Sequence, residues 1–188
     1  NLPKIESSYG TTFDFTEEYK RDVVDYMLRE YAAGKTPNPD VMCNSRIKFH
    51  AFLQEALKRG ADFIATGHYA RVREVKSQKS KVKITSQKSK VSDGRFGLIR
   101  AKDQNKDQTY FLWTLTQEQL RRCLFPIGDY LKSEVREMAR ERGLVTADKR
   151  ESQGLCFLGK IDVRAFLAEH IGTAEGDVLD GASGAVIG

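Results

Sequence analysis

The sequence predicts a layered α/β fold, and three features carry that reading. Helical periodicity runs from Phe15 to Ala33, a second helical run ends at Gly60, and a short apolar segment, Ala61 to Gly67, follows directly. Helix, brief apolar run and glycine turn make the rhythm of a parallel sheet, whose strands are buried on both faces and read as continuous apolar stretches. At 188 residues with 40% apolar content the chain can bury a core, and its length favours one domain or one and a fraction.

In the first helix Asp14 is placed to cap, Glu17 follows three residues later, and Val23, Val24, Met27, Leu28 and Tyr31 share one broad face. Gly34 ends it. Pro37 and Pro39 then hold Lys35 to Asp40 extended, because each proline restricts its own φ and the residue before it. A second helix is expected from Asn44 or Ser45, carrying Ile47, Phe49, Phe52, Leu53, Ala56 and Leu57, which sets Cys43 at or near a helix N-terminus. Gly67 lies at the carboxyl end of the next expected strand, where open α/β sheets bind ligands; a plain turn glycine is the competing reading.

Ser77-Gln78-Lys79-Ser80-Lys81-Val82 returns as Ser86-Gln87-Lys88-Ser89-Lys90-Val91, so residues 76–92 read as a solvated, low-complexity hairpin extension. Arg95 to Ala101 alternates like a strand. Asp107 to Cys123 reads as mostly helical with Thr116 as a cap inside it, and further helices are expected over roughly Ser133 to Arg142 and Asp162 to His170. The terminal stretch, Asp177 to Gly188, reads as strand, turn and the start of another strand. We therefore expect residues 1–120 to form one layered domain and 121–188 to pass into a second.

No run of about 18 apolar residues is present, so no membrane partner is expected. The opening Asn1-Leu2-Pro3-Lys4 has neither a start Met nor a signal-peptide core, which reads as a piece of a longer soluble protein. A formal charge of +5 suits a polyanionic partner without establishing one. Cys43, Cys123 and Cys156 form no CxxC and no metal-type cluster, and an odd count argues against a secreted disulfide framework; a reducing, cytosolic setting fits. His50, His68 and His170 share no ligand spacing and read as structural or surface residues.

Two cysteines stand in loops marked by proline or glycine. A helix N-terminus lowers a thiol's pKa, which favours Cys43 as a reactive thiolate. Asp40 either caps that helix or serves as a general acid or base. Cys156, between Leu155 and Phe157, is either an exposed loop thiol or a buried one, and Cys123, between Arg122 and Leu124, reads as core.

Several stretches in order then resemble one family. They are Thr36-Pro37-Asn38-Pro39-Asp40-Val41-Met42-Cys43-Asn44, Ile47-Lys48-Phe49, Ala65-Thr66-Gly67-His68-Tyr69, Lys106-Asp107-Gln108-Thr109-Tyr110-Phe111-Leu112, Phe125-Pro126-Ile127-Gly128 and Ser152-Gln153-Gly154-Leu155-Cys156-Phe157-Leu158-Gly159. Together they resemble the tRNA-specific 2-thiouridylases over nearly the whole chain apart from the lysine-rich repeat.

The resemblance implies a PP-loop ATP-pyrophosphatase fold, Rossmann-like, truncated at its N-terminus and followed by part of a central domain. It implies an ATP-dependent sulfurtransferase that adenylates carbon 2 of the wobble uridine of tRNA and replaces its oxygen with sulfur, using ATP with Mg2+ and no prosthetic group. By the same carry-over Cys156 holds a persulfide and Cys43 is the nucleophile that helps release its sulfur, ending in a Cys43–Cys156 disulfide. Asp40 is the acid-base residue, and Asn38, Pro39 and Asp40 contact the target base. Lys106, Asp107 and Gln108 meet tRNA, and Gly67 lies against ATP. A cysteine desulfurase or sulfur-relay protein is the implied donor, and the setting is cytoplasmic or an organellar matrix. The family's glycine- and serine-rich ATP loop and its final β-barrel are not among these residues, so this piece alone is expected to be inactive.

Two other function classes share some of these residues. An adenylating amide-forming ligase would use Gly67 and the sheet without needing two thiols. A non-catalytic RNA-binding remnant would use only the basic surface.

Overall fold

The structure is a computed structural model that describes residues 11–75, 94–149, 162–173 and 175–188. Helix α1 is built from Thr16–Tyr19, a wider π-type stretch at Lys20–Val24, and Asp25–Ala32. Asp14 stands at its entrance, accepting from the Thr16 amide at 2.9 Å and the Thr16 hydroxyl at 2.6 Å. Its buried residues, Tyr19, Val23 and Met27, recur every four positions, the spacing of a single helical face.

Helix α2 begins earlier than the sequence suggested. It opens at Pro39–Met42, continues through a π-type stretch at Cys43–Ala51 and closes at Phe52–Lys58. Asn38 caps it, its side-chain oxygen accepting from the Val41 amide at 3.2 Å, and Pro39 takes the first helical position, where a missing N–H costs nothing. The prolines that stiffen the loop therefore also start the helix. Gly60, at φ 89°, turns the chain out of it.

Strand β1, Ile64–Ala65, pairs in parallel with a strand that comes much later in the chain. Between them β2, Ala70–Val75, and β3, Arg95–Arg100, form an antiparallel hairpin with Ala70 opposite Arg100 and Val75 opposite Arg95. The lysine-rich repeat connects these two strands and lies outside the described residues. A 3-10 turn at Thr109–Leu112 precedes helix α3, Gln117–Arg121. Thr116 caps α3 as expected, within a reciprocal capping box with Gln119. The stretch from Asp107 to Cys123 is thus less helical than its pattern suggested, and Cys123 lies on strand β4, Cys123–Leu124, the parallel partner of β1. Helix α4 spans Lys132–Glu141; α5, Val163–Ile171, is capped by Asp162 and packs against the end of α1. Leu179 and Val186 face each other across a terminal turn as an antiparallel bridge.

Phe49 and Leu53 of α2 meet Ile64, Ala70, Leu112, Leu115, Leu120, Cys123 and Phe125 in one core. A second cluster joins Tyr19 and Val23 of α1 to Cys43 and Ile47 of α2. Among the described residues no helix is long and apolar enough to cross a membrane.

Close packing explains one motif glycine. A Cβ placed on Gly128 would stand 1.8 Å from the Ala70 carbonyl oxygen, so the Phe125-Pro126-Ile127-Gly128 turn docks on β2 only because position 128 lacks a side chain. At Gly67 an added Cβ meets nothing within 4 Å. Gly128→Ala is therefore expected to cost about 3 kcal/mol in urea unfolding, while Gly67→Ala stays within about 0.5 kcal/mol of the parent. Equal losses at both positions would contradict this packing.

Candidate functional site

The site grows from the start of α2. Asn38, Pro39 and Asp40 occupy its cap and first turn, with Asn38 rather than Asp40 holding the cap. Cys43 follows one turn later, beyond the first turn within which a helix dipole is felt. It is not at the helix end, and its side chain has 0% exposure, packed with Tyr19, Val23 and Ile47. The expectation of a thiol activated at a helix N-terminus is corrected accordingly: capping at Asn38 moves the helix start five residues upstream and carries Cys43 into a buried interface. Cys156 and the Ser152 to Gly159 stretch lie outside the described residues.

Side-chain amides tie the remaining residues together. Asn44, 2% exposed, donates from Nδ2 to the Phe111 carbonyl at 3.1 Å, fastening α2 to the 3-10 turn; its Oδ1 finds no hydrogen-bond donor among the described residues. Gln108 then grips Tyr69 twice, its side-chain Oε1 accepting from the Tyr69 backbone amide at 2.9 Å and its backbone N–H donating to the Tyr69 carbonyl at 2.8 Å. Gln119 Nε2 donates to the Phe49 carbonyl at 2.8 Å, inside the π-type stretch of α2. The Asn38–Cys43 segment, the Lys106–Gln108 loop and the Gly67–Tyr69 loop are thereby joined, although they are far apart in sequence.

Asp107 is also committed locally. Its Oδ1 accepts from the Ala101 amide at 2.7 Å and the Thr109 hydroxyl at 2.6 Å, and Arg100 lies 3.8 Å from Oδ2. Asp107 and Gln108 thus shape their loop, and Lys106 is the member of the trio with a long cationic side chain for an anionic partner. Gly67 is exposed just past the carboxyl end of β1, with open space where a Cβ would stand.

Sequence reasoning missed the roles of Asn44, Gln119 and His68. Asn44 and His68 lie within the recognised motifs, but their partners are distant in sequence. His68 is buried between Phe49 and Phe125, with ring centroids at 5.6 and 6.3 Å, and its Nδ1 lies 2.8 Å from the Thr66 hydroxyl. Burial, with the Lys48 charge as a smaller cause, pushes its pKa down from 6.5 to about 4. Burial likewise pushes the Cys123 thiol up to about 12, which suits a core residue and not a nucleophile.

A family model described as the tRNA methyl transferase HUP domain matches residues 9–160. The chain belongs to this family. Its fold is accordingly the α/β fold of the HUP domains, in which the parallel β1–β4 pair and the flanking helices are part of a Rossmann-like layer. The chain is 47% identical over 169 residues to the tRNA-specific 2-thiouridylase MnmA of Christiangramia forsetii, covering 90% of this chain and 40% of the relative. It is 49% identical to the same enzyme of Flavobacterium johnsoniae, with 89% and 39% covered, and 49% identical to that of Bacillus licheniformis, with 88% and 40% covered. The chain therefore spans about two fifths of the length of the curated relatives it matches.

A neutral, buried His68 makes stability depend on pH. Its folded-state pKa is depressed, so its contribution is complete above about 6.5 and is lost as pH falls through about 4, a span of about 3 kcal/mol. Urea unfolding at pH 7 and pH 4.5 is expected to show a smaller acid loss for His68→Asn than for the parent. Equal losses would exclude His68 as the source.

Proposed function

We propose that the protein containing this chain is a tRNA-uridine 2-sulfurtransferase that thiolates the wobble uridine of tRNA. The observation that carries this reading is 47–49% identity to tRNA-specific 2-thiouridylases across about nine tenths of the chain. The matched family's description speaks of methyl transfer, but the two cysteines within the motifs, Cys43 and Cys156, suit sulfur chemistry, and the relatives' names agree with them.

The roles follow the chemistry of each group. ATP, when bound with Mg2+ beside the open backbone at Gly67, supplies the adenylyl group that turns the oxygen on carbon 2 into a leaving group. Asn38, Pro39 and Asp40 hold the uridine, in a segment stiffened by Pro37 and Pro39 and fixed by the Asn38 cap, so little ordering is required on binding. Asp40 moves a proton at the base. Lys106 meets tRNA phosphate, with Asp107 and Gln108 holding its loop in place.

Cys156 carries the sulfur as a persulfide delivered by a donor such as a cysteine desulfurase or sulfur-relay protein. The terminal sulfur bonds to carbon 2 and the activated oxygen leaves with AMP. The Cys43 thiolate then attacks Cys156 Sγ and breaks the S–S bond, and the bonding pair stays on the sulfur that becomes the 2-thio group. The product is a Cys43–Cys156 disulfide, returned to two thiols by two electrons from an external dithiol. Because Cys43 is fully buried against α1, this attack requires α1 and α2 to part or Cys43 to turn outward, so the reactive geometry differs from the resting one.

In the full-length protein Cys156→Ala is expected to abolish 2-thiouridine in tRNA, measured by nucleoside mass spectrometry, while tRNA binding persists. Thiolation at the parent level by that variant would contradict the assignment. Retained product formation after both thiols are alkylated would instead favour an adenylating ligase.

A further inference from the structure

Two large aromatic side chains stand in the open beside the site. Tyr110 is 67% exposed and Trp113 is 70% exposed, whereas Leu112 between them is 1% exposed and anchors the turn in the core. Residues i and i+3 eclipse in a 3-10 turn, so position 110 and the cap position 113 leave the same edge, about 6 Å apart along the axis, with the Tyr110 ring meeting Phe111 edge to face at 5.5 Å. The turn is held firmly: Asn44 grips the Phe111 carbonyl, and Gln108 clamps the residues leading into it. It also packs against both the Pro39–Met42 and Cys43–Ala51 parts of α2.

We propose that Tyr110 and Trp113 form a stacking platform for the unpaired nucleobases next to the target uridine. The inference rests on the 2-thiouridylase reading and adds to it a base-contacting site. Chemistry at carbon 2 requires the uridine to leave its stack, which exposes its neighbours, and aromatic faces recover stacking for any base. Charge agrees with such a partner. Arg100 is 81% exposed at its side chain just before this loop, Lys106 lies four residues ahead of Tyr110, and the chain as a whole carries +5. Tyr and Trp offer broad rings with one polar atom each, which suits bases met at an exposed surface beside cationic side chains. Both rings sit on the turn packed against the helix that bears Asp40 and Cys43, so bases stacked there flank the reacting one.

The test uses the full-length protein and an anticodon stem-loop RNA, with affinity read by fluorescence anisotropy at fixed salt. Tyr110→Ala and Trp113→Ala should each weaken binding about tenfold or more, while Tyr110→Phe and Trp113→Phe stay within about threefold, because a ring is kept. The salt dependence of binding should not change, since no phosphate contact is removed. Folded variants that lose a ring and bind as tightly as the parent would overturn the proposal, as would Phe variants that lose as much as the Ala ones. If the parent makes 2-thiouridine and the double Ala variant keeps its affinity, stacking fails and thiolation stands. If affinity depends on the rings but the parent makes no 2-thiouridine, stacking stands and thiolation fails.

Discussion

The arrangement depends on two side-chain amides that hold backbone in place. The Gln108 side-chain oxygen accepts from the Tyr69 amide, beside the bond from its own backbone N–H to the Tyr69 carbonyl, and the Asn44 side chain donates to the carbonyl of Phe111. Each replaces hydrogen bonds that irregular backbone would otherwise make to water, in positions partly closed to solvent, where a lost partner costs about 1–3 kcal/mol. Three segments with no regular pairing between them thus become one rigid unit. The aromatic core of Phe49, His68 and Phe125 lies beneath it and keeps His68 neutral.

Local chemistry was legible in the sequence wherever a feature is completed within a few residues. Thr116 caps a helix as expected, the helix expected over Asp162 to His170 forms at Val163–Ile171, and Arg95–Arg100 is the strand its alternation predicted. The start of α2 was not legible, because Pro37 and Pro39 speak equally for an extended loop and for a first helical turn, and only the Asn38 side chain decides. Strand β4 escaped notice because two residues carry no period; its pairing with β1 joins positions about sixty residues apart. The Asn44–Phe111 and Gln119–Phe49 bonds escaped for the same reason, since their partners are 67 and 70 residues away. Motif order supplied the family, and the α/β fold came with it.

Among the described thiols, burial bears out the core reading of Cys123 and differs from the sequence expectation only at Cys43. Cys123 lies inside the main core with its pKa raised to about 12, so ionisation there is strongly opposed. Cys43 is equally hidden, but at the junction of two helices outside the main core, in a cluster with Tyr19 and Val23 of α1 and Ile47 of α2, flanked by Phe15, Val24 and Met42.

Peptide mapping after a single turnover of the full-length protein, with persulfide loaded and no reductant supplied, tests sulfur transfer most directly. The account predicts a Cys43–Cys156 disulfide formed in step with 2-thiouridine, while Cys123 remains a thiol. Thiolated tRNA appearing while Cys43 stays reduced would contradict it.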